Sequence, residues 1–249
     1  MSKTRVGVVG YRNTAPLMYG MHDAAFRARN ELISDYPARI AAALLEGRVD
    51  VALVPVAVLA NLPEYYIVSK YCIGADGDVA SVALFCEVPL ESLQAVYLDY
   101  QSRTSVALFR LLLREYWKKD LQLLPTHNEE YRNQITGTTG AVIIGDRALE
   151  QQSRSACVYD LAGAWKQFTG LPFVFAVWVS LQPMPAEWQQ HFDAAQAIGL
   201  GKLREVAAAQ QFAAYDLYKY YTQHLRYELN DAMRAGMHHF LNLLRQAGK

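Results

Sequence analysis

Short apolar runs alternate with amphipathic stretches through the first fifty residues of the chain. The pattern predicts strands over residues 5–9, 31–34 and 49–54. Thr14 is placed to cap a helix after the first strand, with Pro16 in its first turn. Between the second and third strands Ile40 and Leu44 share one helix face, and Gly47 ends the helix. This β-α-β-α-β order favours a mostly parallel sheet.

A second alternation follows a break at residues 89–92. Helices are predicted over residues 104–116 and around Leu149 and Trp165, and the chain is predicted to be helical from Pro183 to its end. Asn230 is placed to cap the last helix. The further predicted strands are residues 66–73, 80–88, 95–100, 121–124, 141–144 and 173–180. The apolar stripe of the last helix comprises Leu229, Met233, Met237, Phe240 and Leu244.

Two interrupted α/β units predict two α/β lobes with a hinge and an interlobe cleft. The first lobe would comprise residues 1–89 plus 174–249, with its C-terminal helices, and the second lobe would be residues 90–173. Ligands of such proteins bind between lobes and at the carboxyl ends of parallel strands. A single sheet without a hinge is the alternative architecture.

Composition narrows the classes of partner. The 249 residues are 52% hydrophobic and 19% charged, with a formal net charge of +0, so no overall field would attract nucleic acid or a membrane surface. The chain has no run of roughly 20 apolar residues and no signal-peptide pattern, which favours a cytoplasmic protein. The three cysteines are scattered and odd in number and are expected to be reduced thiols: Cys72, Cys86 and Cys157.

Polar turns that join strands to helices are the candidate anion sites. Tyr11, Arg12 and Asn13 follow the first strand, although Asn13 also suits a plain turn. Residues 100–105 join a strand to a helix and are dense in hydroxyls, and free amides at a helix start bind carboxylates. The alternative is that Ser102 or Thr104 only caps that helix.

Three further turns carry candidate groups. Residues 74–81 connect two strands through glycines and suit either a ligand contact or a simple hairpin. Asp146 ends a strand, and Thr169 and Gly170 form a turn from which they could line the cleft. The chain lacks a Gly-x-Ser-x-Gly elbow and a His-x-x-x-His pair, so an enzyme here is expected to need no metal or cofactor.

The ordered set of these segments resembles the chorismate dehydratase family of the futalosine route to menaquinone. The likeness extends over nearly the whole chain and weakens after about residue 180. The segments that carry it are residues 11–17, 47–55, 78–85, 102–105, 144–149, 159–161, Trp165 and 169–178.

This resemblance implies a periplasmic-binding-protein type II-like fold and a lyase that dehydrates chorismate to 3-[(1-carboxyvinyl)oxy]benzoate. It implies catalytic roles for Asn13 and Ser81. Arg12 departs from the family, which usually has an aliphatic residue there. The substrate-binding candidates are Tyr11, Arg12, Ser102, Thr104, Ser105, Asp146, Thr169 and Gly170.

The expected partner is a small dicarboxylate, with no nucleic acid or membrane, bound by a monomer or homodimer. Asp146 is a candidate base, and a substrate carboxylate is the alternative. Two rival functions remain open at this point. One is a cytoplasmic small-anion binding or sensor protein of the same fold, and the other is the sister enzyme, 1,4-dihydroxy-6-naphthoate synthase.

Overall fold

The computed structural model describes residues 3–247 and contains two mixed β-sheets. The six-stranded sheet has the order β11-β4-β10-β3-β1-β2 and the five-stranded sheet the order β7-β6-β8-β5-β9. The strands of the first sheet are β1 (Thr4–Val8), β2 (Asn30–Ser34), β3 (Val51–Pro55), β4 (Tyr66–Ala75), β10 (Phe173–Ser180) and β11 (Arg226–Glu228). Those of the second are β5 (Val82–Cys86), β6 (Ala95–Leu98), β7 (Gln122–Pro125), β8 (Thr139–Ile144) and β9 (Cys157–Asp160).

Helices cover both sheets. They are α1 (Ala15–Met18), α2 (Ala24–Arg29), α3 (Pro37–Leu45), α4 (Arg103–Leu111), α5 (Asp146–Gln151), α6 (Leu161–Thr169), α7 (Ala186–Leu200), α8 (Leu203–Ala209), α9 (Leu217–Lys219) and α10 (Asp231–Ala247). Two of them continue as π-helical turns, α4 into Leu112–Trp117 and α9 into Tyr220–His224. Among the helices of residues 3–247, none is long and apolar enough to cross a membrane.

The N-terminal alternation predicted from the sequence is confirmed. β1 pairs in parallel with both β2 and β3, because the helices between them return the chain to the same edge of the sheet. Ile40 and Leu44 of α3 are buried, and Gly47 follows the helix with a φ of 68°, a left-handed conformation that glycine adopts without strain. Parallel pairing places the loop after β1 beside the carboxyl end of β3.

The chain crosses from the first sheet to the second between Ala75 and Val82, earlier than the predicted boundary after residue 89. β5 is buried throughout and lies between β8 and β9, so it belongs to the second sheet. The sequence of a buried apolar strand does not show which of two sheets the strand joins, and for this reason the predicted boundary lies too late in the chain. The return at Phe173 agrees with the predicted limit, while the division into two domains stays a prediction. Below, the first lobe means the six-stranded sheet with its helices, and the second lobe means the five-stranded sheet with its helices.

The C-terminal region is helical as predicted except for one strand. β11 pairs antiparallel with β4 at the edge of the first sheet, so the prediction of helix alone was wrong there. Asn230 caps α10, since its Oδ1 accepts from the amide of Met233 at 3.0 Å. The apolar stripe of α10 packs on its own chain, with the Phe240 ring 4.9 Å from that of Phe173. The oligomeric state stays a prediction.

Candidate functional site

A cleft of about 680 Å³, measured out to its open mouth, lies between the two lobes. The first lobe contributes the loop after β1, and the second contributes the turn before β5 and the segments that follow β6 and β8. Parallel strands bring their carboxyl ends to one edge of each sheet, and the polar loops at those two edges face each other across the cleft. The predicted site residues that line the cleft are Tyr11, Asn13, Ser81, Ser102, Thr104 and Ser105.

Asn13 lines the cleft, and its side-chain amide oxygen has no hydrogen-bond partner among the described residues. This oxygen, Oδ1, is buried. The backbone of Asn13 is held separately, because its carbonyl accepts from the Tyr227 hydroxyl at 3.0 Å. A buried acceptor without a partner is unfavourable in a folded protein, which makes this oxygen a candidate ligand contact.

Ser81 is buried at the floor of the same cleft. The Tyr220 hydroxyl donates to Ser81 Oγ at 2.6 Å, and the Gly145 amide donates to the Ser81 carbonyl at 2.7 Å. Because Oγ accepts from Tyr220, the hydroxyl hydrogen of Ser81 remains free to donate. Burial raises the pKa of Tyr220 above its ordinary value, which keeps this phenol protonated as the donor.

The start of α4 forms the polar wall of the second lobe. Ser102 Oγ accepts from the Ser105 amide at 3.0 Å, so the predicted cap is present. Thr104 Oγ1 accepts from the Ala57 amide at 3.1 Å and thereby joins the two lobes. The amides of Arg103 and Thr104 begin the helix and have no preceding carbonyl within it to bond. These amides and the helix dipole favour an anion at this wall.

Arg12 and Asp146 meet each other and do not line the cleft. Arg12 Nη1 lies 2.6 Å from Asp146 Oδ2, and its guanidinium carbon lies 4.2 Å from the centre of the Phe212 ring. Arg12 follows β1 in the first lobe, whereas Asp146 begins α5 in the second. The structure therefore places these two predicted ligand residues in a contact between lobes.

Thr169 and Gly170 lie at the end of α6, away from the cleft lining. Thr169 Oγ1 donates to the Trp165 carbonyl at 2.9 Å, and Gly170 closes the helix with a φ of 74°. Their local geometry explains both residue types without a ligand. The prediction that Thr169 and Gly170 line the cleft does not agree with this placement. A helix-to-strand turn has the same sequence pattern at either end of a sheet, so the sequence did not show which end this turn occupies.

Sequence reasoning missed Gln101, although it lies within the predicted anion turn. Gln101 lines the cleft, and its Oε1 accepts from the Tyr11 hydroxyl of the first lobe. The same oxygen accepts from Arg147 Nη2 at 3.1 Å, and Arg147 lies 2.9 Å from the buried carboxylate of Asp99. A second contact between lobes thus runs beside the pair of Arg12 and Asp146.

Sequence reasoning also missed the tyrosines of the C-terminal region. Tyr220, Tyr221 and Tyr227 are buried, and their hydroxyls bond Ser81 Oγ, the Arg12 carbonyl and the Asn13 carbonyl in that order. The density of tyrosine over residues 215–227 was the available signal, because a buried phenol needs a polar partner.

The cleft is neutral. Among the described residues that line it, none has a lysine, arginine, histidine, aspartate or glutamate side chain. Tyr11 is the titratable group of this lining, and burial raises its pKa well above the ordinary value. Within residues 3–247 no cluster of three histidine, cysteine or acidic side chains is placed to hold a metal ion. The arrangement can bind and orient through hydrogen bonds and a helix dipole.

Comparison with known proteins places the chain in a family. A family model described as menaquinone biosynthesis matches residues 4–246. The chain belongs to this menaquinone biosynthesis family. A chorismate dehydratase of Thermus thermophilus is 31% identical over a 270-residue alignment that covers 96% of this chain and 94% of that protein. The resemblance inferred from the sequence motifs is therefore confirmed.

Solved structures show the same fold as this family member. Protein AF1704 from Archaeoglobus fulgidus aligns with a TM-score of 0.77 at 14% identity, covering 99% of this chain and 98% of that one. The periplasmic aliphatic sulphonate binding protein SsuA from Escherichia coli aligns with a TM-score of 0.62 at 14% identity, covering 100% and 93%. The predicted periplasmic-binding-protein-like α/β fold is confirmed.

Proposed function

We propose that this protein is a chorismate dehydratase that converts chorismate to 3-[(1-carboxyvinyl)oxy]benzoate and water. The observation that carries the proposal is the buried, unpartnered amide oxygen of Asn13, a residue of a cleft whose described lining has no charged side chain. Such a cleft suits a ligand that brings its own charges and a hydroxyl. The family and the relative from Thermus thermophilus support this choice of substrate.

The first requirement is to hold a dianion with neutral groups. The ring carboxylate is assigned to the start of α4, where the amides of Arg103 and Thr104 and the hydroxyl of Ser105 are available. Each of these donors is fixed by the helix, so little reorganisation accompanies binding. The Thr104 hydroxyl acts mainly by bonding the Ala57 amide across the cleft.

The elimination breaks one C–H bond and one C–O bond on neighbouring carbons of the ring. The proton leaves the carbon that bears the ether, the hydroxide leaves the neighbouring carbon, and the electron pair of the C–H bond forms the new ring double bond. Proton and hydroxide together make water, so the reaction needs no oxidant or reductant. Asn13 Oδ1 accepts from the substrate hydroxyl and orients its C–O bond, while the free hydrogen of Ser81 donates to the departing oxygen.

The proton acceptor is assigned to a carboxylate of the substrate. The described lining offers no carboxylate or imidazole, and Tyr11 is held protonated by its raised pKa. Asp146 is committed to Arg12 at 2.6 Å outside the lining. A carboxylate on the enolpyruvyl side chain lies close to the ether carbon and can reach its proton when that side chain is fixed.

The lobes must also prevent loss or migration of the enolpyruvyl group. Two contacts keep them together beside the loop after β1. Tyr11 donates to Gln101, and Arg12 pairs with Asp146. A closed cleft holds the side chain in one conformation and excludes water that would attack it.

We also propose that the enzyme serves the futalosine route in the cytoplasm. Cys86 and Cys157 lie opposite each other in β5 and β9, and both are free thiols, as is Cys72. Three scattered cysteines without a disulfide framework are typical of a protein from a reducing compartment.

The test is to incubate the purified protein with chorismate, with no metal or cofactor added, and to identify the product by mass. A product lighter than chorismate by one water, with an aromatic absorbance, is expected. Ser81→Ala should bind chorismate but turn it over slowly. Binding without any change in chorismate absorbance would favour a sensor, and turnover of a cyclic futalosine derivative instead would favour the sister enzyme.

A further inference from the structure

The turn that precedes Ser81 contains an unfavourable backbone conformation. Ala80 has a φ of 63°, in the left-handed region that residues with a Cβ rarely adopt. Ser81 follows at once and lines the cleft. A left-handed alanine persists only when its surroundings hold it, so the contacts of Ala80 decide where Ser81 points.

Asp160 supplies the main contact of that turn. Its Oδ2 accepts from the Ala80 amide at 2.7 Å, and its Oδ1 accepts from the amides of Ala162 and Gly163, each at 3.0 Å. On the other side, Gln152 Nε2 donates to the Ala80 carbonyl at 2.6 Å. One carboxylate therefore caps α6 with one oxygen and holds the turn with the other.

Asp160 itself does not line the cleft. It lies behind the turn, on a polar cavity of about 910 Å³ that Asp78, Gln152 and His224 also line. The hydroxyl of Ser81 lies on the opposite side of the same turn, where Tyr220 donates to it. The amide of Ala80 joins Asp160 to the turn that carries Ser81 into the cleft.

We propose that Asp160 is a positioning residue, whose carboxylate fixes the left-handed turn at Ala80 and so directs the Ser81 hydroxyl at the substrate. This inference rests on the proposed function of Ser81. It goes beyond a helix cap, because a cap needs only the bonds from Ala162 and Gly163. The bond to Ala80 joins segments 80 residues apart and adds nothing to the helix start.

Asp160→Ser separates the capping of α6 from the contact with the Ala80 amide. A serine caps a helix but is too short to reach the Ala80 amide as well. We expect at least a tenfold loss of kcat with less than a threefold change in KM, because the Ser81 hydroxyl acts on the departing oxygen. Asn230→Ser, which alters the cap of α10 far from Ser81, is the matched control and should keep both constants.

Rescue gives the decisive readout. The double variant combines Asp160→Ser with Ala80→Gly. Glycine adopts the left-handed conformation without strain, so the turn of this variant no longer needs the carboxylate. The double variant should recover most of the kcat lost in Asp160→Ser. Asp160→Asn, which retains size, should lose activity as well, because its NH₂ group must face at least one of the donating amides. An unimpaired Asp160→Ser, or a double variant with no recovery, would overturn the proposal.

The pH profile supplies a second readout. Burial raises the pKa of Asp160 to about 6, and protonation removes an acceptor from the turn. Activity of the unmodified protein should fall below about pH 6, and Asp160→Ser should lose this limb. The groups that face Asp160 are Asp78, Tyr215, His224 and Tyr220. His224→Gln is the control, and its activity should still fall below about pH 6. If that fall disappears in His224→Gln, the pH dependence does not come from Asp160.

Failure of this inference is distinguishable from failure of the proposed function. If the unmodified protein does not dehydrate chorismate, the function is wrong, and the crystal structure of Asp160→Ser still tests the positioning. We then expect Ala80 to leave the left-handed region and Ser81 Oγ to part from Tyr220. An unchanged turn in that structure would refute the role of Asp160 whatever the substrate is.

Discussion

Replacement of Asn13 by alanine should lower kcat by roughly 10²-fold while changing the stability of the protein little. The side-chain oxygen of Asn13 has no partner among the described residues, so folding gains no hydrogen bond from it. The contact that holds this loop uses the Asn13 backbone carbonyl, which alanine retains. Function and stability are therefore expected to separate at this position.

The magnitudes follow from the contacts. A buried polar group without a partner costs about 1–3 kcal/mol, so its removal offsets the packing that the shorter side chain loses. The free energy of unfolding should change by no more than about 1 kcal/mol, or about 2–4 °C in Tm for a chain of this size. Asn13 Oδ1 accepts from the departing hydroxyl and so orients its C–O bond, and the loss of such orientation can cost about 10²-fold, so kcat should fall roughly 10²-fold.

Thr14 is the matched control for Asn13. Thr14 Oγ1 lies 2.6 Å from the Val9 carbonyl oxygen and 2.7 Å from that of Tyr11, and its single hydrogen is donated to this pair of acceptors, so Thr14→Val removes a bonded hydroxyl at nearly constant shape. This variant should lose about 1–2 kcal/mol of unfolding free energy. Thermal unfolding measures both variants, and loss of chorismate absorbance measures turnover of Asn13→Ala. A destabilised Asn13→Ala variant with normal turnover would refute the reasoning.

Three more predictions test the rest of the site. Tyr220→Phe should lower kcat at least tenfold in the chorismate absorbance assay, because Ser81 Oγ loses its donor; unchanged kcat would remove Tyr220 from the site. Arg12→Leu should lower Tm by about 2–4 °C, because the ion pair of Arg12 with Asp146 is only about a quarter exposed. Asp146→Asn should lower Tm by the same amount, and an unchanged Tm in both variants would show that the ion pair does not stabilise the protein. Because the net charge is +0 and the described cleft lining is neutral, kcat/KM should vary less than about threefold between 50 and 300 mM salt, and a steep decline would indicate a charged entry route.

The part of the site that follows from periodicity could be predicted from the sequence. Asn13 follows the buried strand β1 of the first sheet, and residues 102–105 follow β6 of the second. Each strand pairs in parallel within its own sheet, β1 with β3 and β6 with β8, and the carboxyl ends of the two sheets meet at the cleft. Ser102 shows that a cap and an anion site are compatible, because its hydroxyl binds one amide and leaves the first amides of α4 free. Hydrophobic periodicity was sufficient for this step because the sheet determines the geometry.

Position relative to the cleft could not be predicted for turns. Thr169 and Gly170 have the composition of a ligand turn, yet their side-chain and backbone geometry closes α6. Likewise, the buried strand β5 could not be assigned to its sheet, and the predicted lobe limit at residue 89 lies beyond the crossing. Both differences concern which end or which sheet an element joins, and that choice depends on contacts that are distant in sequence.

Buried tyrosines illustrate the same limit at single residues. Tyr220 reaches Ser81 across 139 residues, and Tyr227 reaches the Asn13 carbonyl across 214 residues. Their sequence neighbourhood predicts only that the phenols need partners. The identity of each partner is set by the return of the chain from the second lobe to the first, which composition does not encode.

The positions of Asp99 and Asp160, which lie outside the cleft lining, suit the negative charge of the proposed ligand. A carboxylate in the cleft would repel a dianion, whereas one behind the lining can still organise it through backbone amides. Asp160 accepts from the Ala80 amide at 2.7 Å, beside Ser81, and Asp99 accepts from the amides of Gln101 at 2.8 Å and Ile144 at 3.2 Å, which line the cleft. Each carboxylate thus binds the amides of a segment from its far side, so that the segment presents neutral donors to the substrate. This arrangement accords with the described cleft lining, which has no acidic side chain.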